Sequence, residues 1–411
     1  MRTRIVAVTM VAVIAMSALV LVGWTNVTDA ADAGKETIKI GYLGTLSGPF
    51  GVVEPYQTPG VQMVIDDVNA KGGLLGKKVE LIIRDDQGDP SLVSQKLNEL
   101  KAAGCIMILG AILDISCPPT SQWANDNKIP AILPGSAILK MRTTAFSKYA
   151  FNTVPVSYAL ANIFAKNFAQ QNIKSIYFIG GDVGIAHDVY NLFWPAMKKI
   201  KPDTANLGST WMAGNDMEFS EVISATLAKK PDLILMGIAG PPYSNFVQQA
   251  RRFNLYKKTK TAGPYLLSSE SIVHYGKTYP EGIMAVSWCP FSLSEKPMKD
   301  LTDAFLARTK LYPSEITMSW HISALAAIAA IRKANSIDAD KLVNALETMS
   351  FDTPLGKVRY RDFDHQATLP VYFATSGYSK DFPLAIGVNP VKYGEEVYPT
   401  KAEIEALRAA K

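Results

Sequence analysis

From residue 38 onward, short apolar runs alternate with stretches whose apolar positions recur at helical spacing. Ile38 to Leu43 reads as a buried strand. Thr58 and Pro59 then suit a helix start, with Val61, Val64, Ile65 and Val68 on one face and Gly72 as the stop. Val79 to Ile83 is a strand, Asp89-Pro90 opens a helix carrying Val93, Leu97 and Leu100, and Ile106 to Leu109 is the next strand. A helix from about Thr120 and a strand at Ile129 to Leu133 complete a βαβαβαβ run. Such alternation predicts a parallel sheet covered by helices on both faces.

The pattern restarts after Pro155 with a helix over Tyr158 to Gln171 and a strand over Ile176 to Ile179. A helix around Val189 to Lys199, a strand at Leu207 to Trp211 and a helix at Glu218 to Lys229 follow. Leu233 to Met236 and Pro264 to Leu267 are strands flanking a helix at Tyr243 to Phe253. Beyond Gly282 come a strand (Ile283 to Val286) and helices near Met298 to Lys310, Ser319 to Ala334 and Ala339 to Thr348. The strands after Gly282 are too few for a third sheet, so the chain is expected to cross between two lobes more than once. Thr400 and Glu403 form a capping box before a closing helix. The expected division is 1–33 as an export signal, 34–152 as the first part of lobe I, 153–281 as the first part of lobe II, 282–351 as the second part of lobe I, and 352–411 completing lobe II with a tail.

The N-terminus changes this picture by removing a segment from the fold. Arg2 and Arg4 precede an apolar run from Ile5 to Trp24, and Ala31-Asp32-Ala33 supplies a small-x-small site for cleavage after Ala33 or after Ala30. An uncleaved anchor helix is the alternative. The mature chain is therefore expected in an oxidising compartment, the bacterial periplasm being the simplest. Cys105 and Cys117 are nonetheless expected to stay free. A strand beginning at Cys105 carries the chain about 15 Å away at ~3.3 Å per residue, whereas disulfide Cα atoms lie within about 7 Å.

Of the 411 residues, 48% are hydrophobic and 19% charged, which excludes disorder as the main state. The 42 basic and 37 acidic residues are scattered, with no dense basic block for nucleic acid or an anionic lipid surface. Enzyme motifs are missing as well. There is no G-x-G-x-x-G, no P-loop and no G-x-S-x-G elbow. His187, His274, His321 and His365 are far apart, with no H-x-x-x-H or C-x-x-C pair to hold zinc. No cofactor, no metal and no catalytic residue are expected.

The segment Ile40-Gly41-Tyr42-Leu43-Gly44-Thr45-Leu46-Ser47-Gly48-Pro49-Phe50-Gly51 resembles the opening of the periplasmic leucine/isoleucine/valine-binding proteins that serve ABC importers. Asp67 to Gly76, Asp85-Asp86-Gln87-Gly88-Asp89-Pro90, Ile129 to Ser136 and Pro354 to Val358 continue the resemblance in register. It implies an α/β fold of two doubly wound lobes joined by three hinge strands, the type I periplasmic binding fold. A small ligand lies between the lobes, a membrane permease is the partner, and a monomer is expected. Open α/β sheets bind ligands beyond the carboxyl ends of their strands. The implied wall in lobe I is Ser47 to Glu54 (including Phe50), Ala111 to Ser116 and Pro134 to Ala137. In lobe II it is Gly181 to His187, Ala239 to Tyr243 and Gly263 to Leu267. Ser47, Phe50, Ala111, Asp114, Ser116, Gly135, Ser136, Ala137, Ile185, His187, Gly240 and Tyr265 are the candidate ligand contacts.

Residue by residue the chain departs from the amino-acid-binding pattern. Where the resemblance implies a serine and a threonine for a ligand carboxylate, Asp114 and Ala137 stand. Where it implies a glutamate for the ammonium, Tyr265 stands. Ile185 replaces a lobe II tyrosine, Val53 replaces an aromatic, and Glu54 replaces a glycine. An ionised Asp114 would repel a carboxylate about 4 Å away by roughly 4 kcal/mol at an effective dielectric of 20. A donor-rich or aromatic metabolite is expected in place of an aliphatic α-amino acid, with Tyr265, Phe50 and Trp288 available to stack on a ring. Each candidate also has a plainer role. Asp114 or Ser116 serves equally well as a helix N-cap, Glu54 as a surface charge, Trp288 as hinge packing, His321 as a satisfied histidine, and His187 as a cap or packing residue. A ligand sensor for a signalling partner and a periplasmic enzyme are the competing functions.

Overall fold

The computed structural model describes residues 37–213 and 216–410; the expected export signal lies outside the described residues. Five strands, β1 (Ile38–Gly44), β2 (Val79–Asp85), β3 (Met107–Leu109), β4 (Ala131–Leu133) and β5 (Ala150–Asn152), form one sheet in the order β2-β1-β3-β4-β5. Every pairing in it is parallel. Ile40, Tyr42, Leu43 and the whole of β3 and β4 are fully buried, as a sheet covered on both faces requires.

The second sheet contains β6 (Ser175–Gly181), β7 (Ala205–Met212), β8 (Leu233–Gly237), β9 (Lys260–Pro264) and β10 (Met284–Ser287). It is completed, after a return from lobe I, by β13 (Val371–Gly377) and β14 (Ile386–Tyr393), in the order β14-β13-β10-β9-β8-β6-β7. The last two strands run antiparallel, and the other pairings are parallel. Between these passes, β11 (Ser350–Thr353) and β12 (Gly356–Arg359) make a separate antiparallel hairpin. The fold is the expected α/β pair of doubly wound lobes.

Local differences from the sequence pattern have identifiable causes. The first helix is Glu54–Ala70, a turn longer than the Thr58-Pro59 signal predicts, because Pro55 already occupies the donor-free first turn and Pro59 is tolerated within it. The helix closes where expected, with Gly72 in the left-handed region at φ 95°. The strand expected at Pro264 to Leu267 is displaced: β9 ends at Pro264, and Tyr265 at φ 62° turns the chain out of the sheet. The expected boundary after residue 281 also moves. β10 is hydrogen-bonded between β9 and β13 and so belongs to lobe II through Ser287. The boundary after 351 shifts likewise, since the β11–β12 hairpin packs on the helices Glu315–Ala334 and Ala339–Thr348. The return to the second sheet therefore comes after Arg359.

Two of the crossings between the lobes meet in a polar hinge. Asn152 pairs with Gln366 and Tyr360 with Ala367 as isolated bridges. The Thr153 hydroxyl lies 2.7 Å from that of Ser323 and 2.9 Å from that of Tyr360. Arg142 is fully buried here. It donates to the Ser136 carbonyl at 2.5 Å, the Val154 carbonyl at 3.1 Å and Gln366 Oε1 at 2.9 Å. A buried guanidinium demands such partners; this one ties a lobe I loop to two of the crossings.

Candidate functional site

The loops beyond the carboxyl ends of the two sheets face one another. Leu139 donates its N–H to Asp188 Oδ2 at 2.8 Å, and Ser157 donates to the same oxygen at 2.9 Å. A methyl built on Gly184 would stand 3.3 Å from Ile138 Cδ1, so the walls touch near the hinge.

The lobe I wall is set by carboxylates and one thiol. Asp85 accepts the Leu46 N–H at 2.9 Å, the Gln87 N–H at 2.8 Å and the Ser47 hydroxyl at 2.5 Å. Ser47 is exposed and its proton is already directed at Asp85. Asp86 is buried and accepts from Thr45 at 2.6 Å and from the Gly88 N–H at 2.9 Å. Phe50 is 45% exposed, and its Cδ2 lies 3.2 Å from where a Cβ on Gly88 would stand. Cys117 bridges the second and third loops: its thiol donates to the Ala111 carbonyl at 3.4 Å and accepts the Ser136 N–H at 3.3 Å. Burial pushes this thiol up to about 12. Cys105, Cys117 and Cys289 are all free and buried.

Ala111, Ser116, Ser136 and Ala137 are buried. Gly135 allows the third loop to lie on the second, since a Cβ there would sit 2.2 Å from the Ile112 carbonyl oxygen. Ser116 occupies the N-cap position of the helix Cys117–Asn127 without a side-chain cap bond, so the capping role expected of it is not realised. Asp114 instead accepts the Ala137 N–H at 3.3 Å. Burial raises its carboxyl to about 6, against the opposing pull of that N–H and of Arg142.

In lobe II, Ile185 is half-buried against the core. His187 lies in the first turn of the helix Gly184–Ile200, stacked on Trp211 at 4.0 Å, with Nε2 2.6 Å from Asp182 Oδ1. Gly240 begins the helix Gly240–Arg252 at φ 63° and has open space at its Cβ position. Tyr265 packs edge-on against Trp288, ring centres 5.3 Å apart. Trp288 is itself fixed by a 2.9 Å bond from its indole N–H to Ser319.

Around Tyr265 the structure gathers acids that sequence reasoning missed. Its phenol is raised well above the usual range, by burial first and then by the fields of Asp114, Glu315 and Glu270. Glu315, 2% exposed, opens the helix Glu315–Ala334 and accepts from the hydroxyls of Ser287 and Ser268. Ser268 also lies 2.8 Å from Glu270 Oε2. One hydroxyl has a single hydrogen and cannot donate to both carboxylates. The arrangement is satisfied when one carboxyl keeps a proton. Burial and the neighbouring Glu315 accordingly push Glu270 up to about 7, and burial raises Glu315 as well. In sequence Glu315 reads only as the acidic first-turn residue common at helix starts, and nothing local marks Glu270. Of the candidates from sequence, Asp114 and Tyr265 join this group; Ser47, Phe50 and Gly240 do not.

The profile of the periplasmic binding protein family matches residues 37–381. The chain belongs to that family. The protein is a solute-binding receptor. It is 24% identical over 351 residues to the leucine-, isoleucine-, valine-, threonine- and alanine-binding protein of Pseudomonas aeruginosa, covering 84% of this chain and 90% of that one. The Escherichia coli K12 Leu/Ile/Val-binding protein is 24% identical over 335 residues, 79% and 87% of the two chains. Among solved structures, a Pseudomonas fluorescens Pf-5 amino acid ABC transporter substrate-binding protein superposes with a TM-score of 0.80 at 16% identity, over 91% of this chain and 99% of that one. A Rhodopseudomonas palustris BisB5 solute-binding protein in complex with 3,4-dihydroxybenzoic acid gives 0.78 at 15% identity, over 87% and 97%.

Proposed function

We propose that this receptor works in the periplasm, closing its lobes on a small donor-rich or aromatic solute and presenting the closed form to an ABC permease without altering the solute. The observation that carries this reading is the meeting of Ser268, next to Glu270 after β9, and Ser287 at the end of β10 with Glu315 at the start of the helix Glu315–Ala334, close enough to Tyr265 for both acids to act on its phenol. Relatives that bind branched-chain amino acids support the receptor role. The same acids disfavour the carboxylate of an aliphatic amino acid, which Asp114 would repel by roughly 4 kcal/mol at 4 Å and a dielectric of 20.

The test is a thermal-shift panel followed by small-angle scattering. A ligand at 100 times its Kd adds about 2.7 kcal/mol of stability, and lobe closure reduces the radius of gyration. Leucine and valine are expected to leave the melt unchanged. A large shift with leucine, or a radius unaltered by every solute that binds, refutes the reading. Deleting the gene is expected to abolish uptake of the identified solute; intact uptake with a lost transcriptional response points to sensing instead.

A further inference from the structure

Resting on the receptor reading, we infer that the solute is an organic cation, an ammonium or amidinium compound, held by Glu270 and Glu315 with the Tyr265 and Tyr56 phenols beside them. The charged groups whose fields reach Tyr265 are all acidic. Among the described residues, the groups acting on Glu270 and Glu315 are serine hydroxyls, backbone N–H groups and, for Glu270, the Glu315 carboxylate, with no lysine, arginine or histidine. The guanidinium that acts on Asp114, that of Arg142, donates to carbonyl and amide oxygens of the hinge and is not free to pair with a ligand anion.

Tyr56 gives an independent sign of a ligand. It lies on the lobe I helix Glu54–Ala70, is 6% exposed, and makes no hydrogen bond among the described residues. Its phenol lies within the field of Glu270 across the cleft. The Tyr265 hydroxyl likewise has no hydrogen-bond partner among the described residues. Two unpartnered phenols beside two carboxylates offer oxygen acceptors and aromatic faces, the combination an ammonium or amidinium group uses.

A bound metal would be the other way to neutralise clustered acids. Among the described residues, however, no group of three or more His, Cys, Asp or Glu side chains is placed to hold a metal ion. The proton that burial leaves on Glu270 is then the stand-in for the missing charge. An arriving cation displaces it: the ammonium N–H bonds form to the carboxylate oxygens, and the proton leaves to solvent. Binding of a cation should therefore release protons near pH 7, whereas an anionic solute would take them up.

Isothermal titration calorimetry of the full mature protein with benzylamine, putrescine and benzamidine, in two buffers of different ionisation enthalpy, tests this. At least one of these probes should bind with proton release and close the lobes in scattering. Its affinity should fall at least about tenfold in Glu270→Gln and in Glu315→Gln, the loss expected for a charge-assisted bond. Both substitutions keep the side-chain shape, and the wild-type proton count does not depend on any variant folding. The inference is overturned if none of the three probes binds, if binding takes up protons, or if both variants bind the probe as well as wild type. Closure with benzoate or leucine but with no amine would sink the cation and leave the receptor standing. No closure with any solute would sink both.

Discussion

Replacing Glu270 by glutamine should make the unliganded protein more stable at neutral pH, although it removes a charged side chain from a polar cluster. Burial and the adjacent Glu315 raise the Glu270 carboxyl from an ordinary 4.5 to about 7. A folded-state value above the unfolded one means that the folded protein holds the proton more tightly. The associated stability is complete below about 4.5 and is lost as pH rises through about 7. At ~1.4 kcal/mol per pKa unit, this rise corresponds to at most roughly 3–4 kcal/mol. Glutamine mimics the protonated acid in shape and remains neutral, so the variant escapes the loss. Urea denaturation of both proteins between pH 5 and pH 8 measures it. The curves should lie within about 1 kcal/mol of each other near pH 5 and diverge by roughly a further 2–3 kcal/mol in favour of the variant by pH 8. Parallel pH profiles would refute the shared-proton account of Glu270, Ser268 and Glu315.

Arg142→Met should cost about 3–5 kcal/mol of stability in the same urea assay, because it strands the Ser136 and Val154 carbonyls and Gln366 Oε1 inside the hinge. Gly135→Val should fail to fold or lose several kcal/mol, about 3 or more, because its Cβ would sit 2.2 Å from a backbone oxygen; a native-like melt would contradict the close packing of the two loops. The three thiols should resist a water-soluble disulfide reagent in the native protein at pH 8 and react once urea is added, since all are buried and Cys117 is held at about 12. His187→Ala should lower stability by about 1 kcal/mol through the lost Trp211 stack, without changing solute affinity; lost affinity in titration calorimetry would return His187 to the binding wall.

Much of the architecture was legible in the order of residues. Alternating apolar runs and helical periods, with Gly72 as a helix stop and Thr400–Glu403 as a capping box, depend on neighbours within a few positions, and these features reappear in the structure. The motif from Ile40 to Gly51 was enough to point to the family. Two kinds of feature escaped. Strands β13 and β14 carried no turn or period signal tying them to β10, because the edge of a sheet is defined by pairing across 91 positions of chain, Met284 with Thr375. The acidic group escaped for the same reason. Ser268 meets Glu315 across 47 positions and Ser287 meets it across 28, and only the crossings between lobes bring them together. Local sequence determined which segments became strands and helices; the return of the chain through the hinge decided which carboxylates are buried around one serine. Backbone periodicity is a short-range property, whereas charge burial and shared hydrogen bonds exist only once distant segments exclude water together.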